Sequence, residues 1–134
     1  MAKLDDLEVV AKDTALWGGC PIWDNGRCRL VWTDSIGKLV HQFNPKTGAK
    51  AIISRESAYT GIVLHKTPGG FLFAGSGGLV RWKSAFDVEP ILREFAGEKL
   101  CFSSIIADAK GRVYAGTTYW GGERDGETGK TLSD

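Results

Sequence analysis

The sequence predicts an all-β fold, on three observations. Eighteen glycines, many in pairs such as Gly18-Gly19, Gly69-Gly70, Gly77-Gly78 and Gly121-Gly122, punctuate the chain. Between them lie short runs rich in β-branched and aromatic residues, with five tryptophans and six phenylalanines in 134 residues. Turn signals therefore recur about every ten residues, which is the spacing of strands rather than helices. One segment, "DVEPILREFAGE", has helical character. Pro90 and its place in the repeat favour a strand there.

The repeat orders the elements. "PIWDNGRCRLVWTDS", "IVLHKTPGGFLFAGS" and "IIADAKGRVYAGTT" superpose, and Trp32, Phe73 and Tyr114 hold one place at intervals of 41 residues. Each segment reads as two strands around a turn that begins at Asp24, His65 or Asp108. Asp at such a position caps the hairpin backbone through its side chain, and Arg27 and Arg112 belong to the same turns. "GKLVHQFNP" and "GGLVRWKSA" supply the third strand of the first two periods. The alternation in Leu39-Val40-His41-Gln42-Phe43 suits a half-buried sheet. "KAIISRE" and "VEPILREFA" supply the fourth.

Four strands in such a period match a β-propeller blade of ~40–50 residues. Blade one is predicted over about 20–55, blade two over about 58–96 and blade three from about 101, all in one domain spanning 1–134. The pattern of "DLEVVAKD" suits an outer strand, so blade three is completed by an N-terminal or a partner strand. Propellers close with roughly 4–8 blades. About three four-stranded blades make half of a six-bladed ring, with two open ends that expose strand edges and an apolar face. Two copies related by a two-fold axis are the economical closure, so the sequence predicts a homodimer.

Composition excludes little but is consistent. The apolar fraction is 43%, the charged fraction 25% and the net charge +1, with the basic residues spread along the chain. No nucleic-acid or membrane partner is indicated. "MAKLDDLEVVAKD" is too polar for a secretory signal. Cys20, Cys28 and Cys101 lack CxxC spacing and read as reduced thiols in a cytoplasmic protein, with a Cys20–Cys28 bridge as the alternative.

"GGCPIWDNGRCRLVWTDSIGKLVHQFNPKTG", followed by "DAKGRVYAGT", resembles the N-terminal half of the gluconolactonase, regucalcin (senescence marker protein) and luciferin-regenerating enzyme family. The likeness covers residues 16 to 122, and "GETGK" near the end continues it. It implies a six-bladed propeller that hydrolyses lactones and related esters at a divalent metal, with ligands contributed by several blades at the mouth of the central channel. Such a cation needs several oxygens at once, and its chemistry would be to polarise the carbonyl and activate water. Where the family pattern reads Gly-Glu-x-Pro, this chain has Gly18-Gly19-Cys20-Pro21, so Gly19 stands in place of the ligand. Where the family has Asn-Asp in the third blade, this chain has Ser103-Ser104.

The internal repeat points to the same positions. Counting back five from Asp24, His65 and Asp108 gives Gly19, Thr60 and Ser103, a ring at the channel mouth without carboxylate or imidazole. Ligand-channel candidates are therefore Gly19, Cys20, Thr60, Ser103, Ser104, Tyr119 and Trp120. The candidate metal ligands are Ser103, Glu123 and Asp125, for calcium, magnesium, manganese or zinc, with no metal as the equal alternative. Cys20 is also a candidate nucleophile, against the plainer role of a buried thiol. His41 and His65 are candidate bases, against hydrogen bonding on a strand and in a turn. Asp34 replaces the glycine of the other periods (Gly75, Gly116). It is a candidate polar site or interface residue, or else the cap of its turn. Two functions stay open. One is a lactonase-like hydrolase whose site forms between two half-propellers. The other is a non-catalytic half-propeller, binding a small molecule or serving as an assembly unit, that has lost the family's metal ligands.

Overall fold

The computed structural model describes residues 6–66 and 69–118. Strands β1 (Gly18–Asp24), β2 (Arg29–Asp34), β3 (Leu39–Phe43) and β4 (Lys50–Arg55) form one antiparallel sheet in chain order. A second sheet repeats this with β5 (Tyr59–Leu64), β6 (Phe71–Gly75), β7 (Gly78–Ser84) and β8 (Asp87–Leu92). A small hairpin of β9 (Glu94–Phe95) and β10 (Glu98–Lys99) follows, and β11 (Phe102–Ala107) pairs with β12 (Val113–Thr117) as a third sheet. No α-helix occurs among the described residues, and none is long and apolar enough to cross a membrane. The segment around Pro90 is β8. The β9–β10 hairpin was not legible in the sequence. Its turn places Ala96 and Gly97 at φ 52° and 81°, the paired left-handed geometry that tight hairpins need.

The apolar pattern sends one face of sheet one against sheet two. Val31 and Val40 meet Ile62, Phe71, Phe73, Val80 and Trp82 in one buried cluster. Phe73 lies 5.5 Å from both Phe71 and Trp82 between ring centroids. Such spacing adds aromatic attraction to burial, which alone stabilises by roughly 1.5–3 kcal/mol per large apolar side chain. Gly61 lets sheet three approach, because a Cβ there would collide with Ile105.

The opposite face of sheet one has no such cover. Trp32 and His41, cross-strand partners on that face, stack at 5.2 Å, and Trp23 is 44% exposed. Phe73, the repeat equivalent of Trp32, is 0% exposed. At the other end of the row, Ile106 and Tyr114 of sheet three are 68% and 52% exposed. Residues 7–15 form no strand. Among the described residues they pair with no strand, an ion pair of Asp13 with Lys50 of β4 at 2.8 Å links them to sheet one, and Leu7, Val9 and Val10 are exposed.

The hairpin turns are held as their aspartates require. Asp24 Oδ1 accepts the Arg27 amide at 3.3 Å, and its Oδ2 pairs with Arg29 Nε at 2.9 Å. The ionic partner is thus Arg29, while Arg27 contributes its backbone. Both charged groups are buried, with 4% and 8% exposure. Arg29 also donates to Gln42 Oε1 at 2.6 Å and lies over the Phe71 ring, so one guanidinium ties the turn to both sheets. In sheet three, Asp108 accepts from the amides of Lys110 and Arg112 and pairs with Arg112 Nε at 2.6 Å. The Arg112 side chain, and then its amide, hold the Asp108 carboxyl below the usual aspartate range.

Breaking a buried pair strands its partner, at a cost of about 3–5 kcal/mol. Asp24→Ala is expected to lose that much in urea denaturation. Asp108→Ala, which strands only a solvated arginine, is expected to lose clearly less. Equal losses would overturn this ranking.

Candidate functional site

The first strand of each sheet carries one extra residue at the same end. In β1, Cys20 and Pro21 lie between the pairs Gly19↔Thr33 and Ile22↔Val31. In β5, Thr60 is inserted between Tyr59↔Gly75 and Gly61↔Ala74. In β11, Ser103 is inserted between Phe102↔Thr117 and Ser104↔Gly116. Bulges re-aim side chains and collect beside functional sites. The count of five from the turn positions Asp24, His65 and Asp108 reaches Thr60 and Ser103 directly, but on β1 it reaches Gly19, one residue short of the bulge. Cys20 is there instead, at φ 47°.

Cys20 and Thr60 also join sheet to sheet, while Ser103 bonds within its own sheet. The Cys20 sulfur accepts the Ile62 amide at 3.2 Å. The Thr60 hydroxyl lies 2.6 Å from the Phe102 carbonyl and 3.2 Å from that of Ala74, so its single proton serves the backbone. Ser103 Oγ donates to Gly116 O at 3.3 Å. Ser104 is exposed beside it. A cavity of about 110 Å³ opens at this end between Thr60, Ser35, Ile36, Ala58, Ser76 and Cys101. Tyr119, Trp120, Glu123 and Asp125 lie outside the described residues.

These donors do not fit a divalent cation. A hard cation needs several oxygens free to converge, carboxylates above all. Gly19 has no side chain, Thr60 and Ser103 are turned to carbonyls, and no cluster of three His, Cys, Asp or Glu occurs among the described residues. The space at Gly19 is nevertheless open, since a Cβ there would meet nothing within 4 Å.

The other candidates have settled places. Cys20 and Cys28 are not bridged to one another. His41 is on the open face of sheet one, and the His65 amide bonds Gly70 O across the β5–β6 turn at 3.0 Å. Asp34 is buried and accepts three amides, from Leu16 at 3.0 Å, Trp17 at 2.9 Å and Gly37 at 2.8 Å. It caps its turn and also tethers the segment ahead of β1. Gly75 has no room for that device, because a Cβ there would strike the Ala58 carbonyl. Burial pushes the Asp34 carboxyl up, but the amides of Gly37, Trp17 and Leu16 and the charge of His41 outweigh it and leave the group below its ordinary value.

Four-stranded antiparallel sheets in a row, joined through bulged first strands, define a β-propeller assembly. Solved structures agree: a gluconolactonase from Xanthomonas campestris (TM-score 0.67, 19% identity, 77% of this chain and 35% of that one) and a calcium-binding regucalcin from Agrobacterium tumefaciens (TM-score 0.69, 17% identity, 81% and 37%). The family described as SMP-30/Gluconolactonase/LRE-like region matches residues 17–133, and the chain belongs to it. Pentonolactonase XacC of Haloferax volcanii is 30% identical over 106 residues, covering 75% of this chain and 34% of that protein. YvrE of Bacillus subtilis, provisionally named a sugar lactone lactonase, is 28% identical over 120 residues, covering 89% and 41%. The chain thus spans well under half the length of the curated relatives it matches.

Two outcomes test this geometry. Because Asp34 titrates below the ordinary 3.8, its bonds contribute fully above that pH and fade only as pH falls beneath it. Hydrogen-exchange protection at the Leu16 and Trp17 amides is expected to fall with it, and in Asp34→Asn to be weak at every pH. Protection unchanged in that variant would remove the tether. Gly19→Glu combined with Ser103→Asn is expected to raise calcium affinity about tenfold or more by calorimetry, as added ligand charge does in oxygen sites. An unchanged isotherm would show that these positions do not converge.

Proposed function

We propose that the chain is a lactonase-type propeller unit that acts on sugar lactones or related esters only within a closed ring. The observation that carries this reading is the pair of open apolar faces, Trp23–Trp32–Ile52 at one end of the row and Ile106–Tyr114 at the other. Phe73 indicates what the position of Trp32 is built for, which is full cover by a neighbouring blade. A second copy of the chain would supply that neighbour at both ends, and a two-fold closure makes six blades. The relatives' names support lactone chemistry. The channel mouth with Cys20, Thr60 and Ser103 is where a small substrate would lie. The unbridged Cys20 and Cys28 support a reducing compartment such as the cytoplasm.

A second reading is favoured by the ring residues themselves. With Gly19 lacking a ligand and the Thr60 and Ser103 hydroxyls engaged, the described blades supply no catalytic set. The protein is then a non-catalytic channel binder or assembly unit. A hydrolase in this chain needs metal ligands from other residues, and no catalytic step is assigned to the described ones.

Light scattering on a sizing column, with each fraction assayed for lactone opening by pH-stat under added calcium, magnesium, manganese or zinc, separates these readings. A mass near twice 14.5 kDa with metal-dependent opening is expected for the hydrolase. A dimer that opens no lactone supports the second reading, and a stable monomer overturns the closure.

A further inference from the structure

A larger groove continues from the small cavity at Thr60. Ala58 and Ser76 line both, so the two spaces adjoin at the end of the sheets where the bulges lie. The groove measures about 360 Å³, with Tyr59, Val80 and Val88 as apolar lining and Lys38, Glu56 and Arg93 among its charged residues. These three come from separate connections: the β2–β3 turn, the β4–β5 turn and the residue after β8. Among the described residues none of their side chains has a hydrogen-bond or ionic partner. Lys38 and Glu56 are also held at φ 56° and 68°, a left-handed backbone that side-chain-bearing residues adopt at a cost and that clusters at ligand clamps.

We propose that this groove binds the anionic end of a polyhydroxy acid. Two unpaired cations in one concavity suit a carboxylate or phosphate. Glu56 in the same groove would repel a bare anion but accepts hydroxyl protons, so the ligand is one that carries both an acid group and a polyol chain. The volume accommodates a six-carbon acid, and Ala58 and Ser76, the lining shared with the cavity at Thr60, point the rest of such a molecule toward the channel mouth. The inference deepens the lactonase-type reading by naming its substrate class, sugar lactones or esters with a second, ionised group. It rests on that reading for catalysis but not for binding.

Calorimetry on the full chain at low salt, with glucarate, 6-phosphogluconate, glucose and inorganic phosphate as probes, tests it directly. Both acids are expected to bind at least tenfold more tightly than glucose or phosphate, and the order of the two acids identifies the preferred anion. Lys38→Asn, which tolerates the left-handed backbone, and Arg93→Gln are each expected to weaken the acids roughly tenfold, the scale of one charge-assisted hydrogen bond. Lys46→Gln, in the turn at the opposite end of the sheets, is expected to change nothing. Glucose binding as tightly as the acids, phosphate matching them, unaffected variants, or no binding by any probe would each overturn the groove assignment. Lactone opening without an effect of these variants sinks the inference alone, and variant-sensitive acid binding without any lactone opening sinks only the catalytic reading.

Discussion

A twisted four-stranded sheet of this kind has two faces, and a chain of such sheets is stable only where each face finds a neighbour. Here the decisive contact is the face of Val31 and Val40 laid against Phe71, Phe73 and Trp82. The remaining features either protect that contact or lie outside it. Arg29 closes its lower edge by pairing with Asp24, reaching Gln42 and lying over Phe71. Its Nη2 is buried without a partner, a desolvation cost that the rest of the guanidinium's contacts offset. At the upper edge the Cys20 sulfur and the Thr60 hydroxyl hold the first strands of adjacent sheets together. The outer faces lack equivalents, and Trp23, Ile52, Ile106 and Tyr114 on them are correspondingly exposed.

The constraint also explains the character of the inner strands. To pack side by side around an axis they must bend, and each does so by accommodating one extra residue. The residue at the bend is polar or sulfur-bearing because its neighbours are backbone amides and carbonyls, across the gap for Cys20 and Thr60 and on the paired strand for Ser103. In this chain that local need consumes the Thr60 and Ser103 groups that a cation would require. Scaffold and chemistry compete for the same atoms, and here the scaffold takes them.

Much of this architecture was legible before any coordinates. Trp32, Phe73 and Tyr114 at one interval, with glycine-rich turns between alternating strands, specify hairpins of a repeated all-β fold because pleat and turn chemistry are local. Asp24 and Asp108 announced their turns for the same reason. What escaped the sequence is non-local. The count that reached Gly19 missed the bulge at Cys20, since an inserted residue leaves no mark except an irregular count. Arg27 belongs to the Asp24 turn through its amide, but the buried ion pair of Arg29 with Asp24 was not legible, because proximity to a turn says nothing about which side chain points into the gap between sheets. Asp34 was ambiguous until Leu16 and Trp17 were seen to be its partners. The groove of Lys38, Glu56 and Arg93 gathers three connections that no short motif links. Its one local trace is "SIGK", a turn whose lysine follows the glycine.

The two bonds between first strands have a kinetic meaning. Cys20 to Ile62 and Thr60 to Phe102 each span 42 residues, so docking one blade on the last closes the same length of chain every time. The third sheet docks on the second by the same kind of bond, from Thr60 to Phe102, with Gly61 leaving room for Ile105. Loop entropy for a given span is nearly constant, and the main inter-sheet contacts run between neighbouring sheets, as in linear repeat proteins. Each docking step therefore costs about the same chain entropy, and folding of such a row can begin at any blade and spread to its neighbours.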